Sequence, residues 1–262
     1  MKLYTSLASV ASLISLFPTV TALAVQATWS VTNVPASGLT DITFPITIVD
    51  TERTAGYYMA ENFGFVGADT SGYTGLQPRP DQGGKQVLHA AFSSFIDGTT
   101  TTDPNCSDGA DGGPGVSCSV EWNGVYGRTY DLEVKYAGGQ LWVGTAIDTV
   151  TQERTHIGSY KVPAGVKGIA SNYEGIPFVE YYYWNDGKPQ HDCASLPYQK
   201  SIFGIPRTSH GGSVGSLELF AEYGDCAGKV AFHTERVASG VEVNCGFKGP
   251  ALSGLVVQAN TY

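Results

Sequence analysis

The sequence predicts an all-β fold, an antiparallel β-sandwich of the jelly-roll (concanavalin-like) type. Three observations lead to it. Apolar and polar residues alternate with a period of two in several segments, the signature of strands with one buried face. No amphipathic helix of ordinary length follows the first two dozen residues. Glycine reaches 33 residues and tyrosine 15, a composition suited to short strands and tight turns.

The elements follow in chain order. "MKLYTSLASVASLISLFPTVTALA" has an early lysine, an apolar stretch from Leu7 to Phe17 and small residues before Ala22 and Ala24. It reads as a secretory signal peptide, residues 1–22, cleaved after Ala22 or Ala24. Residues 25–262 are then expected to form one exported domain, and no later segment has the apolar length of a membrane span. "DITFPITIVD" places Ile42, Phe44, Ile46 and Ile48 on one face. "QVLHAAFSSFIDG" reads as a long strand. In "YDLEVKYAGGQLWVG", Leu132, Val134 and Tyr136 alternate with charged residues, Gly138 and Gly139 turn the chain, and Leu141, Val143 and Thr145 return it. This is a strong hairpin pattern. A third strand is expected around His156 to Val162. "SLELFAEYGD", "KVAFHTERV" and "VEVNCGF" supply late strands, and "ALSGLVVQAN" a last one. The stretch from Asp97 to Ser119 reads as a long surface loop.

The formal charge is −9, and loss of Lys2 with the leader lowers it by one more. Phosphate backbones and anionic membranes repel such a chain, so neither nucleic acid nor a membrane is an expected partner. Five cysteines in an exported chain predict two disulfides and one remaining thiol. Cys106 and Cys118 flank one loop and are expected to pair. Cys193 with Cys226 is the favoured second bridge, leaving Cys245 free. No Cys-x-x-Cys spacing or His-Glu-x-x-His motif is present, so no metal or other cofactor is expected. Asp103, Asn105, Asp108 and Asp111 are acidic or amide side chains in one loop, but their spacing fails the EF-hand rule. "NCS" at Asn105 is an acceptor for N-glycosylation.

Several ordered motifs resemble those of the secreted family known as domain of unknown function 3472. They are the "YY" strand at Tyr57 and Tyr58, "GYTGLQ" at Gly72 to Gln77, "VLHAAFSSF", "TYDLEVKY", and "IGSYKVP" at Ile157 to Pro163. Where that family often has a tryptophan in the third motif, this chain has Phe92 or Phe95. The resemblance implies export, a β-sandwich and company with carbohydrate-active modules. It implies no reaction and no catalytic residue.

The candidate site starts from "FVEYYYWNDG". As a continuous strand it would place Phe178, Glu180, Tyr182 and Trp184 on one face and Val179, Tyr181, Tyr183 and Asn185 on the other. Aromatics on both faces exceed what one-sided packing needs. Aromatic surface beside hydrogen-bonding groups suits a sugar. The expected function is therefore binding of a polysaccharide or other glycan in an aromatic groove, with cleavage by a glycoside hydrolase or lyase mechanism as its extension. Glu180, Tyr181, Tyr183 and His191 are the candidate catalytic groups, with Glu121, Glu174, Glu218 or Glu222 as a second carboxyl. Gln77, His89, Arg128, Tyr182 and Trp184 are the candidate substrate contacts. The competing readings are a non-catalytic interaction or structural protein at a cell wall or host surface, and a protease inhibitor.

Overall fold

The structure is a computed structural model and describes residues 24–171 and 176–249. The leader, Glu174 and the expected last strand, "ALSGLVVQAN", lie outside the described residues.

The first strands in chain order are β1 (Ala24–Gln26), β2 (Trp29–Val31), β3 (Asp41–Thr51), β4 (Tyr57–Gly64), β5 (Ser71–Pro78) and β6 (Leu88–Ser94). Next come β7 (Cys106–Ala110), β8 (Gly113–Trp122), β9 (Thr129–Gly138), β10 (Leu141–Asp148), β11 (Arg154–Lys161) and β12 (Pro177–Tyr181). The last strands of the described residues are β13 (Gln199–Phe203), β14 (Gly215–Leu217), β15 (Ala221–Tyr223), β16 (His233–Val237) and β17 (Gly240–Cys245). An eight-stranded sheet runs β15-β1-β12-β4-β5-β6-β8-β7, and a seven-stranded sheet runs β11-β10-β9-β3-β13-β17-β16. All the strand pairings are antiparallel. This is the sandwich that the alternation predicts.

One core lies between the sheets. Met59, Phe63, Leu76, Leu88 and Phe92 face it from one side, and Phe44, Ile46, Leu132, Val134, Trp142 and Tyr160 from the other. Rings interlock across the gap, Phe44 with Phe63 at 6.1 Å and Phe92 with Tyr160 at 4.4 Å between centroids, and Phe63 and Phe92 join these pairs within one sheet at 6.4 Å. Burying rings of this size dominates the apolar contribution to stability.

Glu61 breaks the pattern. It lies on the inner face of β4, between Met59 and Phe63, opposite Thr74 and Pro177. Its exposure is 0%, and neither carboxyl oxygen has a hydrogen-bond partner among the described residues. Burial pushes its proton affinity well above the usual carboxylate range, which favours the neutral acid over the carboxylate.

The expected hairpin is present as β9 and β10, but its turn lies one residue later, at Gly139 and Gln140, with φ of 58° and 67°. Two central residues with positive φ match the twist of the flanking strands. Tyr136 is 37% exposed, and Trp142 and Ala146 make the buried face of the return strand. The cysteines pair as expected, Cys106 with Cys118 and Cys193 with Cys226, and Cys245 is a buried free thiol. The stretch from 97 to 119 is not simply a surface loop. It holds β7 and most of β8, a hairpin tied by the directly opposed Cys106 and Cys118. Its glycines and aspartates hide any alternation, and register with β6 orders it. Late in the chain, "SLELFAEYGD" divides into two three-residue strands in different sheets.

Candidate functional site

The outer face of the eight-stranded sheet carries a groove of about 710 Å³. Its composition follows from register. Directly paired residues on neighbouring strands point the same way. Glu180 pairs with Tyr58, the next rung after Met59–Leu76 brings in Gln77, and Gln77 pairs with His89, which pairs with Glu121. Two residues along, the rung is Gln26, Phe178, Ala60, Gly75 and Ala91. Two further, Asn62 pairs with Tyr73. A floor of small side chains thus lies between tyrosine-bearing rungs.

Tyr58 packs edge-on against Tyr73 at 5.2 Å and Phe178 at 5.7 Å. It does so over Gly75, where an added Cβ would fall 2.6 Å from its ring and 2.3 Å from the Met59 carbonyl oxygen. The Tyr58 hydroxyl and the Asn62 Oδ1 are buried without a hydrogen-bond partner among the described residues, and both residues line the groove.

Glu180 contributes a carboxyl group to the groove. Asn185 Nδ2 donates to its Oε1 at 2.9 Å. Burial raises its proton affinity, the Asn185 hydrogen bond opposes that, and the charge of Asp111 adds to it. Asp111 sits at the tip of the β7–β8 hairpin with φ 48°. It accepts a bifurcated hydrogen bond from the Tyr73 hydroxyl, at 3.2 and 3.3 Å. Two carboxyl groups therefore line one aromatic groove. Burial, and then the Glu180 charge, push the Tyr223 hydroxyl up to about 12, so it is a donor there at any ordinary pH.

A polar cluster continues the Glu180 rung. Arg79 donates from Nε to Glu121 at 2.8 Å and from Nη2 to the Gln77 side-chain oxygen at 2.8 Å. His89 Nδ1 lies 3.4 Å from the same Glu121 oxygen. Burial, then the Arg79 charge, lower the His89 pKa to about 4. The ring is neutral above that, and with Nδ1–H toward the carboxylate its Nε2 is left as an acceptor.

The strand expected through Trp184 ends at Tyr181. A 3-10 turn, Tyr182–Trp184, replaces the alternation. Tyr182 is pinned to Gly56 by two hydrogen bonds of 2.9 Å. Gly56 has φ 137°, and a Cβ there would fall 2.6 Å from the Tyr181 ring, so only glycine fits. Tyr182 and Asn185 consequently face the groove, whereas Trp184 packs on Tyr181 and His191.

Of the expected site residues, the structure brings Glu180, Tyr182 and Gln77 into the groove, with His89 on the same rung. It does not bring the others. Tyr181 packs against Tyr57 on the core side, because it alternates with Glu180. Tyr183 is 54% exposed outside the groove. His191 is enclosed between Asp186 and Asp225. Arg128 leads into β9, in the other sheet, paired with Asp148 at 2.8 Å. Among the proposed second carboxyls, Glu121 is engaged by Arg79, Glu222 accepts from the Gly228 N–H, and Glu218 is 3.8 Å from Arg236. Asp103 is committed to His156 and Ser159, so it does not join Asp111 in a cation cluster. The sequence reading missed Tyr58, Tyr73, Arg79, Asp111 and Tyr223 as site residues. The alternation Tyr58–Ala60–Asn62 beside Tyr73–Gly75–Gln77 was the available signal.

No family model matches the chain, and no curated protein matches it. Solved structures do. Scytalido-glutamic peptidase with a transition state analog inhibitor matches at 10% identity and a TM-score of 0.42, covering 86% of this chain and 99% of that one. The same peptidase with a peptide-based transition state analog matches at 11% identity and a TM-score of 0.40, covering 85% and 99%. SCP-B, a member of the eqolisin family of peptidases in complex with the tripeptide Ala-Ile-His, matches at 10% identity and a TM-score of 0.40, with the same coverage. Neither identity nor score is high enough to carry a residue's role across.

Proposed function

We propose that the groove binds a polysaccharide chain and that the protein hydrolyses it with Glu180 as the acid. The observation that carries this reading is the Glu180 carboxyl, set among aromatic rings, raised in proton affinity and oriented by Asn185. Because Asn185 donates to Oε1, the acidic proton belongs on Oε2. From there it passes to the leaving glycosidic oxygen as the bond breaks. Asp111 supplies the second carboxyl that such a reaction needs, to take the proton of the attacking water or to meet positive charge at the anomeric carbon. The partly exposed rings of Tyr73, Phe178 and Tyr182, packed over the buried Tyr58, offer apolar surface to sugar C–H groups, and the amides of Gln26, Asn62 and Gln77 offer partners to hydroxyls.

A second reading has one observation in its favour. The side-chain amides of Gln26, Asn62, Gln77 and Asn185 all line the groove, and between them carry the kinds of donor and acceptor that a peptide group needs. A polypeptide substrate is the form this takes.

The test is a product screen at acid pH on a panel of polysaccharides and on an unfolded protein. New reducing ends are expected from a polysaccharide, with a fall of about 10²–10⁴-fold in Glu180→Gln, the usual contribution of a general acid. New amino termini instead would select the second reading. Unsaturated sugar ends would assign a lyase and shift the chemistry to His89. Binding without products leaves a lectin-like module, and neither binding nor products sinks both readings.

A further inference from the structure

His191 lies outside the groove, yet it joins the two segments that form one wall. Its ring is stacked on Trp184, at 4.8 Å between centroids and 12° between planes. Its Nε2 is 3.2 Å from the Asp186 carboxylate and its Nδ1 is 3.3 Å from that of Asp225. Its backbone N–H donates to Asp225 at 2.7 Å. The side chain is 3% exposed. Trp184 and Asp186 flank Asn185, the residue that holds Glu180. Asp225 follows the groove residue Tyr223 by two positions, and Cys226 beside it is bridged to Cys193, two residues after His191.

A neutral imidazole has one N–H and one lone pair. With carboxylates at both nitrogens, it satisfies one and turns a lone pair toward the other. Only the imidazolium donates to both, and an indole face also favours a cation. Two lysines flank the cluster. The Lys188 side chain and backbone N–H hold the Asp186 carboxyl down to about 2, and Lys229 donates to the Asp225 carbonyl at 2.9 Å. Asp192 is turned to its own loop, accepting from the Ala194 N–H.

We infer that His191 is a proton-operated clasp: protonated, it ties Asp186 to the Asp225 segment and so positions Asn185 against Glu180; neutral, it keeps Asp225 through its backbone N–H and loosens its hold on Asp186. It is a positioning residue, and its importance to catalysis rests on the groove reading above. The consequence is a groove wall that is set at acid pH and loosened as pH rises.

The experiment is an NMR titration of the isotopically labelled full chain from about pH 4 to about pH 8, the range in which histidine changes charge. Three signals are followed: the His191 ring nitrogens, the Trp184 indole N–H and the Asn185 side-chain amide. At the acid end both His191 nitrogens are expected to carry protons, with the Trp184 and Asn185 signals moving at the His191 midpoint. In His191→Gln that step is lost and Asn185 follows the Glu180 titration alone. A His191 ring that holds one proton across the whole range overturns the inference, as do Asn185 signals unmoved through the His191 midpoint. Both outcomes are read in the wild-type protein, so a variant that fails to fold leaves the test intact. No readout uses a glycan or a peptide, so a negative product screen counts against the proposed function and not against the clasp.

Discussion

Glu61→Met should make the protein more stable near neutral pH. The wild-type carboxyl is fully buried, with neither oxygen partnered among the described residues. A buried polar group without a partner costs about 1–3 kcal/mol. Methionine has nearly the same length and no such group, and volume-conserving swaps usually cost under about 1.5 kcal/mol. Proton linkage adds to the gain. The folded-state proton affinity of Glu61 is raised by burial. Its contribution is therefore fully present below the unfolded pKa of about 4.3 and is lost as pH rises toward the folded value. Each pH unit within that window removes about 1.4 kcal/mol, because the unfolded chain ionises while the folded one does not. Urea unfolding of both proteins at several pH values, with disulfides intact, measures this. The expected result is a gain of up to about 3 kcal/mol at the acid end of the window, after the swap cost is set against it, equivalent to a rise in Tm of up to roughly 12 °C for a domain of this size. The gain should widen with pH by about one proton's worth of slope. Equal pH slopes, or a variant less stable throughout, would refute the claim that Glu61 is a neutral, unpartnered acid.

Further outcomes follow from the same geometry. Gly75→Val should lose about 1–3 kcal/mol, as overpacking does, and displace Tyr58, since even a Cβ at this position meets the Met59 carbonyl at 2.3 Å; the readouts are thermal unfolding and Tyr58 ring shifts. Cys245 should resist alkylation in the folded protein and react on unfolding, because burial pushes its thiol up to about 11; mass spectrometry of alkylated and peptide-mapped protein reads this together with the two bridges. Replacing Cys193 and Cys226 by serine opens a separation of 33 residues, which the chain-entropy model values at about 3–4 kcal/mol, measurable by denaturant unfolding. His89 should stay neutral with its proton on Nδ1 down to about pH 4, which a ring-nitrogen NMR titration checks; because its folded pKa is depressed, its contribution to stability is lost as pH falls from about 6.5 toward that value.

Much of this molecule is determined by local sequence. The period-two pattern from Ile42 to Ile48 is the core face of β3, because a half-buried strand must alternate whatever it pairs with. The hairpin from Tyr130 to Thr145 is legible because turn residues and flanking strands are neighbours in sequence. The disulfide pattern was anticipated from the loops in which the cysteines stand. The site is another matter. Glu180, Tyr58, Gln77, His89 and Glu121 come from different strands and meet only because register aligns them on one rung. Register depends on every pairing between them, and a slip of one residue would turn each side chain to the other face. Asp111 reaches the groove through a hairpin in a Gly- and Asp-rich stretch that shows no alternation. The break after Tyr181 depends on Gly56, 125 residues earlier in the chain and in contact with the Tyr181 ring only after folding. That turn separates Tyr182 and Asn185 from Tyr183 and Trp184. Local periodicity determined which residues the strands bury; long-range pairing decided which side chains share the groove.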